Sequence, residues 1–233
     1  MDANLDRRHR WGLGAFLVVE SVYLLLALAL AYAFAGRAVE RVLAVVLGTA
    51  GPTVVAALVA VLITTLRGNG PTVDLSLRWS WRAAGVGLLF GIGGLFVTIP
   101  AAALWVSVVG EDANSAAGEV FGDIRSTWAW AIVVFLVVVV VAPICEEIVY
   151  RGLLWGAVDQ RWGRWVALIV TTVVFSVAHL EWTRIPLLLV VAIPIGLARL
   201  LTANLPASMI AHMVTNLLPG LVLMFTVAGA VPA

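Results

Sequence analysis

The run Ala131-Ile132-Val133-Val134-Phe135-Leu136-Val137-Val138-Val139-Val140-Val141 has no polar side chain, and it leads directly into Ala142-Pro143-Ile144-Cys145-Glu146-Glu147-Ile148-Val149-Tyr150-Arg151-Gly152. The first stretch predicts a helix buried in a membrane. The second sets two carboxylates and a guanidinium within six residues at its end. A charged side chain at the bilayer centre costs about 2.5–3.5 kcal/mol on insertion scales. Three such groups so close together therefore call for partners, a function, or both.

Composition extends this reading to the whole chain. Hydrophobic residues make up 63% of the 233 and charged residues 12%, about half the charged share of a soluble domain. The expected fold is an all-α, polytopic transmembrane helical bundle. Apolar runs over 13–34, 42–66, 83–109, 128 to the glutamate pair, 165–179, 187–201 and 207–227 give seven spans, or eight if Pro219-Gly220 breaks the last. Residues 1–127 then hold helices 1–3 and their loops, and 128–233 hold a functional core of helices 4–7. Arg7, Arg8 and Arg10 before the first run, and Ala33-Phe34-Ala35 at its end, resemble a signal peptide, even a twin-arginine one. The run exceeds the roughly 7–15 apolar residues of a signal sequence and fits the ~20 of a span. It is read as a retained helix, with Glu20 either at an interface or facing the bundle.

All 14 basic residues are arginines. With the N-terminus inside, ten lie on the cytoplasmic side, and Arg37, Arg41, Arg125 and Arg184 lie outside. That bias predicts a cytoplasmic N-terminus in the plasma membrane. The net charge of +1 and the lack of a basic patch argue against nucleic acid as a partner. A single cysteine, Cys145, rules out an internal disulfide and a Cys-based zinc site. The loop 110–127 reads as polar, with Glu111, Asp112, Glu119 and Asp123 against Arg125. Gly87 and Gly91 fit close packing of helices through small residues.

Helical spacing sorts the polar groups. Residues four apart share a face, so Glu147 and Arg151 can pair in the favoured order, leaving Glu146 free to point elsewhere. Phe175 and His179 are also four apart, as are His212 and Asn216. Glu146 lies seventeen residues before Gly163 and His179 sixteen after it, each ~25 Å away at 1.5 Å per residue, so a hairpin brings them level. His212 lies only ~10 Å past Pro206 by the same measure, level with the others only if the turn at 163 protrudes or helices bend. Pro143 frees the Val139 carbonyl and bends its helix beside the carboxylates. Such breaks suit a water-lined cavity.

These residues carry a resemblance. Glu146-Glu147-x-x-x-Arg151, Phe175-x-x-x-His179 and His212-x-x-x-Asn216, in that order over about 128–220, resemble the motif set of the CAAX prenyl protease 2 type, the CPBP (Abi) family of intramembrane endopeptidases. The resemblance implies that Glu146 activates a water with help from His179, that His212 and Asn216 stabilise the oxyanion, and that Glu147 and Arg151 hold the site together. The family has also been described as metal-dependent. Zinc on Glu146, His179 and His212 thus stays open, although no H-E-x-x-H helix is present; the preferred reading needs no cofactor. Partners would be a peptide or lipidated protein and the lipid bilayer, with cleavage near the cytoplasmic face.

The chemistry is sound without the name. A carboxylate in an apolar setting is a better base than one in water, and neutral donors facing a developing oxyanion lower its energy in a dry site. Two other classes remain: a proton-coupled transporter relaying protons through Glu146, His179 and His212, and a non-catalytic membrane scaffold of the bacteriocin-immunity type. The first would need a polar path through both halves, to which helices 1–3 contribute only Glu20.

Overall fold

The computed structural model describes residues 10–35, 40–110 and 116–231. Arg7, Arg8, Arg37, Glu111 and Asp112 lie outside the described residues, as does the side chain of Glu119. No strand occurs among the described residues, and the chain is a polytopic helical bundle. Helices α1 (Leu13–Phe34), α2 (Arg41–Arg67) and α4 (Trp81–Val109) are joined by the short α3 (Pro71–Asp74) and followed by α5 (Ala116–Gly122). A continuous rod then runs from Trp128 to Trp162, comprising α6 (Trp128–Leu136), α7 (Ala142–Glu147), α8 (Trp155–Trp162) and two intervening π-helical segments, Val137–Val141 and Ile148–Leu154. Helices α9 (Arg164–Ala178), α10 (Ile185–Thr202) and α11 (Leu205–Val227) complete the bundle.

Among the described residues, six helical stretches are long and apolar enough to cross a membrane, and α9 is a shorter apolar helix. The break at Pro219-Gly220 that would have made an eighth span does not occur: α11 is unbroken to Val227. Gly220 instead lets the helix press against Val139 and Phe135, where a Cβ would sit 2.3 Å from a Val139 methyl. The loop 110–127 is also less polar in effect than its sequence suggests. Phe121 and Ile124 are buried with Val42, Val46, Ala131, Val134, Leu223 and Val227, forming one end of the core.

The outer surface is what a lipid solvent selects. Leu25, Leu28, Leu89, Phe96 and Leu104 are exposed, a surface that water would penalise and acyl chains do not. Exposed tryptophans sit at helix ends, Trp79, Trp81, Trp162 and Trp165 on one side of the bundle and Trp128 and Trp182 on the other, as in an aromatic belt.

Without a hydrophobic force between helices in lipid, close packing carries the association. Helix α4 lies along α10 and α11 with Gly87, Gly91 and Gly94 in the seam. A Cβ on Gly87 would meet the Ala207 carbonyl oxygen at 2.6 Å and Ile210 Cβ at 2.9 Å, neither of which can swing aside. Gly87→Ala is therefore expected to cost about 1–3 kcal/mol of stability, read as a lower unfolding midpoint in detergent. Gly85, with open space around it, is the matched control.

Trp11 closes the end of the bundle where α1 begins. Its indole donates to Asp74 Oδ2 at 3.0 Å, Asp74 also receives Asn69, and the Trp11 ring lies on Gly156. Leu75, Leu153, Trp155 and Leu205 fill the space behind it.

Candidate functional site

The motif residues converge on one buried point. Glu147 Oε1 accepts from Arg151 Nη1 at 2.9 Å, and both side chains are 0% exposed. The same oxygen lies 3.1 Å from His212 Nδ1. A carboxylate already paired with arginine can only accept, so Nδ1 carries the proton and donates. His212 thereby presents Nε2 to Glu146, whose Oε2 is 3.7 Å away. Glu146 is the less confined of the two glutamates, with 24% of its side chain exposed against none for Glu147.

His179 caps the end of α9. Its Nδ1 lies 2.7 Å from the Phe175 carbonyl oxygen, an obligate acceptor, so the neutral ring keeps its lone pair on Nε2. Leu180, next in the chain, takes a left-handed backbone at φ 57°, a strained choice for a residue with a Cβ. That turn ends the helix at His179 and leaves its ring at a free end. Phe175 lies among the charged groups: its ring is 4.5 Å from that of His179, 5.6 Å from His212 and 5.4 Å from Tyr150, with the Arg151 guanidinium 4.3 Å from its centroid.

The depth of His212 follows from two unequal turns. Residues 159–166 around Gly163, whose φ of 82° turns the chain from α8 into α9, are exposed and project from the bundle. The turn between α10 and α11 is recessed instead. Leu205 N–H donates to the Ser76 carbonyl at 3.1 Å and Asn204 Nδ2 to the Arg78 carbonyl at 2.7 Å. His212, seven residues into α11, therefore reaches the glutamates.

Pro143 acts one residue away from where an α-helix would put it. In the π-helical turn before it, Ala142 N–H donates to the Val137 carbonyl, five residues back. The next bond in that register would run from residue 143 to Val138, and proline has no N–H. The orphaned oxygen is thus that of Val138, not Val139. Asn216 Nδ2 donates to it at 3.1 Å. The second π segment has a similar tie, where Arg199 Nε donates to the Arg151 carbonyl at 3.1 Å.

Asn216→Ala should therefore cost about 0.5–1.5 kcal/mol by removing the hydrogen bond to the part-buried Val138 carbonyl. In a Pro143→Ala background, where residue 143 regains its donor, most of that loss should vanish. A double-mutant cycle on the unfolding midpoint reads the coupling, and equal losses in both backgrounds would contradict the assignment.

A cavity of about 410 Å³ adjoins these groups, lined by Glu146, His179, His212 and Asn216 together with Cys145, Tyr150 and Phe175. Its remaining wall comes from the first half of the chain: Glu20 and Tyr23 of α1, and Gly48, Thr49 and Thr53 of α2. Residues 1–127 and 128–233 thus build one cavity between them. Sequence reasoning left Glu20 between an interface and the bundle interior, where it in fact lines the cavity, and it gave Arg199 no role. The first was visible only as a carboxylate in an apolar run, the second as one more flanking arginine. Glu146 and His212 lie on the half of the bundle nearer the start of α1. Packed side chains close that side, and the cavity runs away from it toward Phe121 and Leu180.

Among the described residues no three His, Cys, Asp or Glu side chains converge as a metal-ligand set. His212 has Nδ1 committed to Glu147, which leaves Nε2 as its only nitrogen for a ligand or a proton. No step below is routed through a metal.

Fold and cavity define an integral membrane protein with acid–base side chains gathered at membrane depth. Residues 128–218 match the family model described as type II CAAX prenyl endopeptidase Rce1-like, and this segment is what the chain shares with CAAX proteases. No match is found among curated proteins or among solved structures.

Proposed function

We propose that the protein is an intramembrane endopeptidase that hydrolyses a peptide bond of a membrane-associated or lipidated polypeptide with a water activated by Glu146. One observation carries the reading: Glu146, His179 and His212 share a cavity in which both imidazoles are oriented through Nδ1, leaving both Nε2 edges for chemistry.

In this mechanism Glu146 takes a proton from water held with His179 Nε2, and the hydroxide attacks the scissile carbonyl carbon. His212 Nε2, 3.7 Å from Glu146 Oε2, is placed to receive that proton. Protonated, it donates to the oxyanion and then to the departing amine nitrogen as the C–N bond breaks. Asn216 keeps one amide hydrogen on Val138 and offers the other to the oxyanion. Glu147 and Arg151 hold His212 in its tautomer and orientation. The cavity fits an extended peptide entering through the bilayer or from the end carrying α5. With the N-terminus cytoplasmic, as the arginine bias favours, the sealed side faces the cytoplasm and the mouth lies deeper in the membrane.

A relay transporter is disfavoured because packed core closes one end of the cavity. The testing experiment presents a peptide library to purified protein, with and without chelator, for wild type, Glu146→Ala and His179→Ala. Cleavage by wild type that persists in chelator and is lost in both variants supports the proposal. Full activity in either variant sinks it.

A further inference from the structure

The wall facing the Glu146–His212 pair is supplied in part by α1, outside the family-matched segment. Glu20 and Tyr23 stand there, one turn apart. Tyr150 lines the cavity beside them, and among the described residues no arginine or histidine forms a salt bridge with Glu20. One phenol offers a single donor, whereas a carboxylate has about four acceptor sites. Glu20, Tyr150 and Glu146 line the same cavity.

The rest of the lining has the same sign. Its other charged groups are Glu146 and Glu181, the latter paired with Arg184. Arg151 lies against Glu147 and the Phe175 ring, and Arg199 is spent on the Arg151 carbonyl and Ser76. Among the described residues no arginine lines the cavity, and the chain has no lysine. A free terminal carboxylate entering here would find no cation to receive it. An incoming ammonium or guanidinium would find Glu20 without a cationic partner, in surroundings apolar enough to make the pairing strong.

We infer that Glu20 is a specificity residue of this cavity: it receives the side chain of a lysine or arginine in the substrate, and the cavity selects an internal bond beside that cation over a segment ending in a free carboxylate. The inference rests on the hydrolase reading above. Because Glu20 and Glu146 line one cavity of about 410 Å³, the cation lies within about three residues of the scissile bond at ~3.3 Å per extended residue.

The test uses the full chain in lipid nanodiscs and one apolar peptide frame. Lysine, norleucine or glutamate is placed in turn at the three positions on either side of the cleaved bond, with each peptide made as free acid and as amide. Wild type should cleave the best lysine peptide at least about tenfold faster in kcat/KM than its norleucine counterpart and should not favour the free acid. In Glu20→Gln, a near-isosteric change, that ratio should fall to within about twofold of one. Glu20→Lys should turn the preference toward glutamate. A wild-type ratio near one, a ratio unchanged in Glu20→Gln, or a clear preference for the free acid overturns the inference. The hydrolase reading fails separately: if Glu146→Gln cleaves as well as wild type, or wild type cleaves none of the peptides, it falls and the inference falls with it. Loss of cleavage in Glu146→Gln together with an indifferent charge ratio overturns the Glu20 assignment alone.

Discussion

Arg151→Ala is expected to destabilise the protein by about 3–5 kcal/mol, the usual result of stranding one member of a buried ion pair. Glu147 and Arg151 are both wholly buried, 2.9 Å apart, so removing the guanidinium leaves an uncompensated carboxylate in the core. The damage should spread. Phe175 loses the cation over its ring, and Glu147, which orients His212, loses the guanidinium that fixes it. Chemical or thermal unfolding in detergent reads the loss. Replacing both partners together, as Glu147→Leu with Arg151→Leu, should cost less than Arg151→Ala alone, because no charge is then stranded. A change under about 1 kcal/mol for Arg151→Ala would show that the pair is not the brace.

Glu146→Gln should behave in the opposite way. Glu146 keeps 24% of its side chain exposed, and its one ion-pair contact is His212 Nε2 at 3.7 Å. Glutamine preserves its shape, so the unfolding midpoint should move by less than the equivalent of about 1 kcal/mol. Cleavage should fall by about 10²–10⁴-fold, the range for removing a general base. Adjacent glutamates thus separate cleanly: Arg151→Ala strands the one that holds the fold, and Glu146→Gln disables the one that acts. A Glu146→Gln protein that unfolds like Arg151→Ala would erase that distinction.

That division was legible in sequence because it depends only on helical spacing: Glu147 faces Arg151 across one turn and Glu146 does not. The apolar runs were equally plain, since a span needs little more than length and composition. Three features were not. The π segments have no local signature, since five consecutive valines suit an α-helix as well as a π turn. Only the fit to α11 and Asn216 selects the wider register, and that register moves the orphaned carbonyl from Val139 to Val138. The level of His212 depends on the turn at 203–204 being tied beneath Ser76 and Arg78, across more than 120 residues. The direction of Glu20 is hidden because α1 is apolar on every face, so no periodicity marks the side that meets the bundle. Motif spacing names the acid–base groups, while the cavity that gives them access depends on helices the motifs do not include.

The most direct test of the central claim is isotopic. Wild type and Glu146→Gln, purified in the presence of chelator, are given a cleavable peptide in water enriched in ¹⁸O, and the new carboxyl terminus is weighed by mass spectrometry after one turnover. Water activated by Glu146 predicts one ¹⁸O atom in the wild-type product and no product from Glu146→Gln on the same timescale. Equal product from the two proteins, or a wild-type product whose new carboxylate carries no label, would contradict the account.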